Sequence, residues 1–493
     1  MKQFVESSAN QVDPKHCVVL TGNSSSLSQR LTRSMIEIQR TYKATCGVWI
    51  RYLFCFEYLQ ELTGMGTHFS THVTSVRFDA WRTKKLRIEK VTLKLPEKDK
   101  PRTWVIPILL GLVCLGLITW ANYHILNTPE YAHRDFMSLW GGGRAILLDI
   151  DPYDREIWVP LRYELGSIWG TGDAVNPFPL WTLLVMTPLS SLPIGWGAAI
   201  WITLSLLLLA VAILLLSTVL GTRRPTVAEF ALLALGAFTF RASLVTLGNG
   251  QITLVLLAIL TLFLVLMKRN HPYAAGFILS FIILKPNPFI LFAPLVAFWL
   301  LIHKRWRVIA GGLTSVALML IVSWAVIPGW LINWLTVREK TGTTIRTFIM
   351  PTLWGAAAEI NRQWAPLLGF VFVVALTAGL GWYLFTRKDL DISNVVALAI
   401  VGSILIAPYA WAYEHALLLI PLVLLFMRLE RRWLAWLVWI TLIFILPWIL
   451  YRYSNEQDRG TFEVLVPLLT LIAFWLFVGV ARTRRQGERR CNS

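Results

Sequence analysis

Charge is scarce in this chain. Asp, Glu, Lys and Arg make up 15% of its 493 residues, against roughly 25% in ordinary globular proteins. Hydrophobic residues make up 56%, and mean hydropathy is +0.59. That balance excludes a conventional soluble or disordered protein. Cysteine is sparse too: Cys17, Cys46, Cys55, Cys114 and Cys491 form no CxxC and no paired spacing, so neither a disulfide framework nor a zinc site is implied. Residues 1–30 are polar and lack the apolar run of a signal peptide, so the first apolar block is expected to act as signal anchor. Acidic groups are the rarest charges, 28 against 46 basic ones, leaving a net charge of +18. In a soluble chain that excess would point to nucleic acid. In a membrane chain it reads as basic cytoplasmic turns, and no nucleic-acid partner is expected.

What the chain has in abundance is apolar sequence in blocks. They cover 103–123, 196–220, 226–240, 251–267, 273–284, 286–302, 307–327, 366–386, 392–407, 413–428, 433–450 and 462–481. Several fall short of the roughly 20 residues a straight crossing needs, and must tilt, extend through polar ends or re-enter. The expected fold is an all-α polytopic membrane protein with about twelve transmembrane helices. Basic turns at 222–224, 268–270, 303–307, 386–388, 428–432 and 482–490 fall on alternate connections and assign one face, with both termini, to the cytoplasm. This holds if the proline-rich stretch Pro177–Pro193 does not cross but lies re-entrant or interfacial. The first outer loop, about 124–195, is long and carries acidic residues; within it 136–148 and 154–165 read as short amphipathic helices along the membrane surface. A second outer loop, about 328–365, is rich in Trp and Thr.

The flanks differ. Residues 1–102 are polar and end in a basic stretch; they read as a disordered cytoplasmic tail or an over-called start, the alternative being an amphipathic segment on an anionic leaflet. Residues 103–481 form the transmembrane domain and 482–493 a basic cytoplasmic tail.

Ionisable and polar groups near the membrane gather on the outer face. They are Asp135 after the first block, Arg241 and Gly248-Asn249-Gly250-Gln251, Lys285-Pro286, and Tyr409, Tyr413, Glu414 and His415. Because the basic turns alone set the topology, this convergence is a partly separate observation, and such groups usually line a cavity or pathway. Each also has a plainer reading. Asp135 can cap a helix or pair with Arg134, and Lys285 can snorkel. Glu414 and His415 can be a satisfied pair, and Asn249 with Gln251 can simply make a turn. Asp149-Ile150-Asp151 has a DxD form, but Asp151-Pro152-Tyr153-Asp154 reads equally as a turn and helix start. No metal site and no cofactor is expected.

In order and spacing these pieces resemble a known family. Asp135-Phe136 through Gly141-Gly-Gly-Arg-Ala-Ile-Leu-Leu-Asp-Ile-Asp-Pro-Tyr153, then Asn176-Pro-Phe-Pro179 to Pro193, looks like the first outer loop of glycosyltransferase family 87. Gly248–Gln251, Ala275-Gly276, Lys285-Pro286, Lys304–Arg307 and Ala407-Pro408-Tyr409 with Glu414-His415 continue the pattern. The likeness covers about 125–480; Asn-Pro-Phe-Pro stands where a Tyr-Pro-Pro type sequence is more common. The resemblance implies a C-type glycosyltransferase fold in the plasma membrane, with the active site outside the cytoplasm. It further implies a hexosyltransferase, in first place a mannosyltransferase, using a polyprenyl-phosphate sugar donor and a glycan or glycolipid acceptor of the cell envelope. By position, Asp135 becomes the general base of an inverting transfer. The charge a leaving lipid phosphate needs makes Lys285, with Arg241 and His415, the expected donor phosphate ligands, and Asn249, Gln251, Tyr153, Glu414 and Trp140 are expected to bind substrate. A lipid or glycan transporter or flippase, and a polysaccharide polymerase or ligase, are the alternatives. No inverted repeat or inner gate favours the former, and the latter lean on Arg and His.

Overall fold

The structure is a computed structural model that describes residues 105–126, 135–166, 176–340, 350–387, 390–456 and 460–479. Residues 1–102 and 482–493, with the readings made of them, lie outside the described residues. Among the described residues all regular structure is helical. In chain order the helices are α1 Val105–Leu126, α2 Asp135–Leu147, α3 Arg155–Glu164, α4 Leu180–Ser190, α5 Ile194–Thr218, α6 Val227–Thr239 and α7 Arg241–Asn249. They continue as α8 Thr253–Lys268, α9 Pro272–Leu279, α10 Phe292–Ile302, α11 Trp306–Val326, α12 Trp330–Lys340, α13 Leu353–Ile360 and α14 Ala365–Thr386. The last are α15 Ile392–Ile406, α16 Leu419–Arg428, α17 Arg432–Trp439, α18 Leu446–Glu456 and α19 Leu465–Phe474. A π-helical stretch, Ile440–Ile445, joins α17 to α18.

Each apolar block is largely helical over its described residues, but length separates them. Ile194–Thr218, Trp306–Val326, Ala365–Thr386 and Arg432–Ser454 are long and apolar enough to cross a membrane, and α6 with α7, bent by 48°, makes a fifth if the pair is one span. The other apolar helices are shorter. Proline accounts for part of the shortening: Pro286 and Pro288 lack the N–H that continues a helix, and they separate the 3₁₀ turn Ser280–Leu284 from α10.

The core is a helix buried on every side. Each residue of α15 is buried, as is α16 from Leu419 to Met427. The few polar side chains of α15 are taken up internally, Ser393 and Asn394 by Arg428 and Ser403 by the Leu291 amide, so no polar face turns outward, and α10, α14 and α19 pack around it. The two short helices expected in the first outer loop are present as α2 and α3. Most of α2 is buried against α4, α3 and α5. The close approach of α2 to α4 depends on Gly143, where a Cβ would run into the Ser190 hydroxyl. That hydroxyl donates to the Trp140 carbonyl at 2.7 Å. The proline-rich stretch therefore forms a helix, α4, clamped to α2.

Three of the basic turns meet at one end of α8, and the polar site residues lie at its other end. At one end Arg223 grips Glu229 through two hydrogen bonds of 2.6 and 2.5 Å, and Arg432 lies 3.6 Å from the same carboxylate. Thr222 donates to the Met427 carbonyl at 3.0 Å and Lys268 to the Val219 carbonyl, so three of the basic turns meet there. Helix α8 begins beside Gln251 and ends at Lys268 after 16 residues, about 24 Å at 1.5 Å per residue.

Candidate active site

Four side chains from four separate breaks in the helices join into one polar chain. The first is Asp135, the opening residue of α2 and half-buried.

Gln251 is placed by a helix stop. Helix α7 ends in a left-handed Gly250 (φ 66°, ψ 31°), a conformation that costs other residues roughly 1–2 kcal/mol. The Gly250 amide donates to the Leu247 carbonyl at 3.1 Å and the Gln251 amide to that of Thr246 at 2.9 Å, which closes the helix end. The Gly250 carbonyl is taken by the Trp201 indole at 2.9 Å.

Lys285 sits where the 3₁₀ turn Ser280–Leu284 runs into Pro286. Pro288 has no N–H to give the Leu284 carbonyl, and Thr182 of α4 donates to it instead at 2.7 Å. Trp181 does the same for Ile283 at 2.9 Å. Thus α4, already clamped to the helix that carries Asp135, also holds the turn that carries Lys285. Thr182→Val keeps the shape and removes this donor. An unpartnered buried carbonyl costs about 1–3 kcal/mol, enough to let the Lys285 turn shift. Turnover of the purified variant is expected to fall several-fold, with folded yield little changed; wild-type turnover would show that the turn holds without it.

Glu414 belongs to the 3₁₀ segment Ala412–Leu418, which packs on α7. One carboxylate oxygen accepts from the Trp411 amide at 2.8 Å, and the other meets Lys285 Nζ at 2.6 Å. The ammonium also lies 4.4 Å from the centre of the Tyr413 ring, an electrostatically favourable face for a cation. Lys285 Nζ donates to Gln251 Oε1 at 2.8 Å, and Gln251 Nε2 donates to Asp135 Oδ2 at 2.6 Å. The order Asp135–Gln251–Lys285–Glu414 is therefore continuous. Lys285, Glu414 and Gln251 are all buried. The pairing offsets the cost of their burial.

Arg241 and His415 form an adjoining cluster. Arg241 pairs with Glu463, and its guanidinium lies 4.0 Å from the centre of the Tyr451 ring. His415 bonds the Pro351 carbonyl and lies within electrostatic reach of Arg241, while its Nε2 is buried with no partner among the described residues. Asn249, the last residue of α7, is half-buried beside the site.

Two aromatic residues are spent on packing. The Trp140 indole donates to the Leu192 carbonyl at 3.2 Å, and the Tyr153 hydroxyl to that of Phe178 at 2.7 Å. Burial, with the Asp151 carboxylate nearby, holds the Tyr153 hydroxyl protonated well beyond the usual tyrosine range. The DxD stretch is built as a turn. Asp149 is left-handed, Asp151 Oδ1 accepts from the Tyr153 amide at 2.9 Å, and Asp154 caps α3 through the Glu156 amide at 2.9 Å.

Sequence reasoning missed Glu463, Tyr451, Trp181 and Thr182. Glu463 carried a usable signal, a lone carboxylate at the start of an apolar block. Trp181 and Thr182 carried none, because their work is to complete backbone carbonyls.

Among comparisons with known proteins, the family model for glycosyltransferase family 87 matches residues 177–408. That range holds Arg241, Asn249, Gln251 and Lys285, while Asp135, Glu414, His415 and Glu463 lie beyond it. No curated protein and no solved structure matches the chain.

Proposed function

The chain belongs to glycosyltransferase family 87, and from that premise we propose that it moves a sugar from a polyprenyl-phosphate donor to a hydroxyl of a glycan or glycolipid, with inversion. As a membrane glycosyltransferase it needs a sugar donor and an acceptor. The observation that carries the finer reading is the single amide of Gln251 held between a carboxylate, Asp135, and a buried cation, Lys285. Inverting transfer asks for those two groups. Asp135 removes the proton of the acceptor hydroxyl as its oxygen bonds to the anomeric carbon, while the bond from that carbon to the phosphate oxygen breaks. The departing lipid phosphate is already stable and needs positive charge more than a proton. Lys285 supplies it, with the Arg241 guanidinium in the adjoining cluster and His415 beside it as a hydrogen-bonding group. Glu414 keeps the lysine neutralised until the donor phosphate arrives to share it. Asn249 flanks this chain on the substrate side, and mannose is the sugar we assign.

The separation of charges along the bundle supports an orientation. Basic turns gather at the Lys268 end of α8 and the polar chain at its Gln251 end, so a cytoplasmic position for the first gives an extracytoplasmic site. About twelve crossings of the plasma membrane, with both termini in the cytoplasm, complete this reading. A donor panel tests it. Purified protein in lipid nanodiscs is expected to transfer mannose from polyprenyl-phosphate mannose to an alkyl mannoside. Turnover only with nucleotide sugars would overturn the reading.

A further inference from the structure

Both ends of the Gln251 amide are already engaged inside the protein, at 2.6 Å to Asp135 and 2.8 Å to Lys285. We infer that Gln251 is a positioning residue: it orients the base and ties it to the phosphate-side lysine. This goes beyond a substrate contact and rests on the reading of Asp135 as base.

The direction of the amide is fixed by its neighbours. An ammonium only donates, so the atom facing Lys285 must be Oε1. Nε2 is then the atom that faces Asp135, where it donates to a carboxylate oxygen. Turning the amide over would set two donors against each other at one end and two acceptors at the other. Neither end has freedom to drift. Gln251 is 3% exposed, its backbone amide closes α7, and Trp201 fixes the carbonyl before it. A side chain anchored this way removes rotamer freedom from Asp135, and the acceptor hydroxyl meets an oxygen already aimed. The charged or titratable side chains around this chain include Lys285, Glu414, Tyr413 and Tyr409, with Arg241 and His415 behind them.

The amide of Gln251 holds the carboxylate of Asp135 in one orientation, and losing that bond frees it to turn away from the acceptor. Gln251→Glu isolates this end of the bridge. It keeps an oxygen for Lys285 and nearly the same volume, yet gives Asp135 a like charge where it had a donor. With polyprenyl-phosphate mannose as the probe, kcat is expected to fall about 10- to 100-fold. KM for the donor should stay within about threefold. Gln251→Leu should lower kcat in the same way. A variant that merely folded poorly would lose folded yield and donor-induced protection against heat, while the remaining folded enzyme kept wild-type kcat. Wild-type kcat in Gln251→Glu, beside an inactive Asp135→Asn, would overturn the role of Gln251 alone. Near-normal turnover in Asp135→Asn would instead overturn the reading of the base on which this role rests.

Discussion

Asp135→Asn is expected to lower turnover by about 10²- to 10⁴-fold, the usual worth of a positioned general base. The substitution removes little else. Asparagine has the same shape, and its Oδ1 still accepts from Gln251 Nε2, so the bridge to Lys285 stays connected. Lys285 keeps its ion pair with Glu414. Donor binding, measured by protection of the purified protein against heat, should match wild type, and the melting midpoint without donor should barely move. Loss of turnover with donor binding retained separates chemistry from binding. Near-normal turnover would remove Asp135 from the chemistry.

The second large effect concerns stability. Glu463→Leu leaves Arg241 with no carboxylate in a place where both side chains are less than a tenth exposed. Breaking one partner of a buried ion pair costs about 3–5 kcal/mol, while replacing both by apolar groups is often neutral. Glu463→Leu should therefore lower the unfolding midpoint sharply in detergent. The double variant Arg241→Met with Glu463→Leu should recover most of the loss, which distinguishes an unpaired charge from a packing defect. Equal stability of wild type and Glu463→Leu would mean that the pair contributes nothing to the fold.

Much of this architecture was legible because apolar blocks and their interruptions are written in composition. Each block became a helix, and the breaks at Gly248–Gln251, Lys285-Pro286 and 407–415 are where the polar chain forms. What composition does not carry is how far a helix runs before its hydrogen bonds are handed to side chains. The blocks 273–284 and 286–302 look like two spans, yet α9 gives way to a 3₁₀ turn and α10 begins only at Phe292. The site showed a similar divide. Asp135, Gln251, Lys285 and Glu414 stood out as costly groups near apolar sequence. That two hydrogen bonds of one side-chain amide join the first three was a matter of rotamers. Trp140 and Tyr153 read as rings facing a sugar, since an aromatic at an interface looks alike whether it faces solvent, lipid or a neighbouring carbonyl. The structure buries both and uses their donors on backbone oxygens. Several other tryptophans do likewise, among them Trp201, Trp299 and Trp354, a role that enrichment at membrane boundaries alone would not suggest.

The Arg241–Glu463 pair also has a meaning in time. Membrane insertion follows synthesis, and earlier segments fold before later ones exist. Arg241 is made 222 residues before the carboxylate that neutralises it. Throughout that interval its charge lacks this partner. Entry of the final segment supplies the carboxylate at the start of α7, the end opposite to Gln251. A chain cut short before residue 460 would thus retain Asp135, Gln251, Lys285 and Glu414 yet leave a guanidinium unpaired in the core, and stability rather than the polar chain would bear the loss.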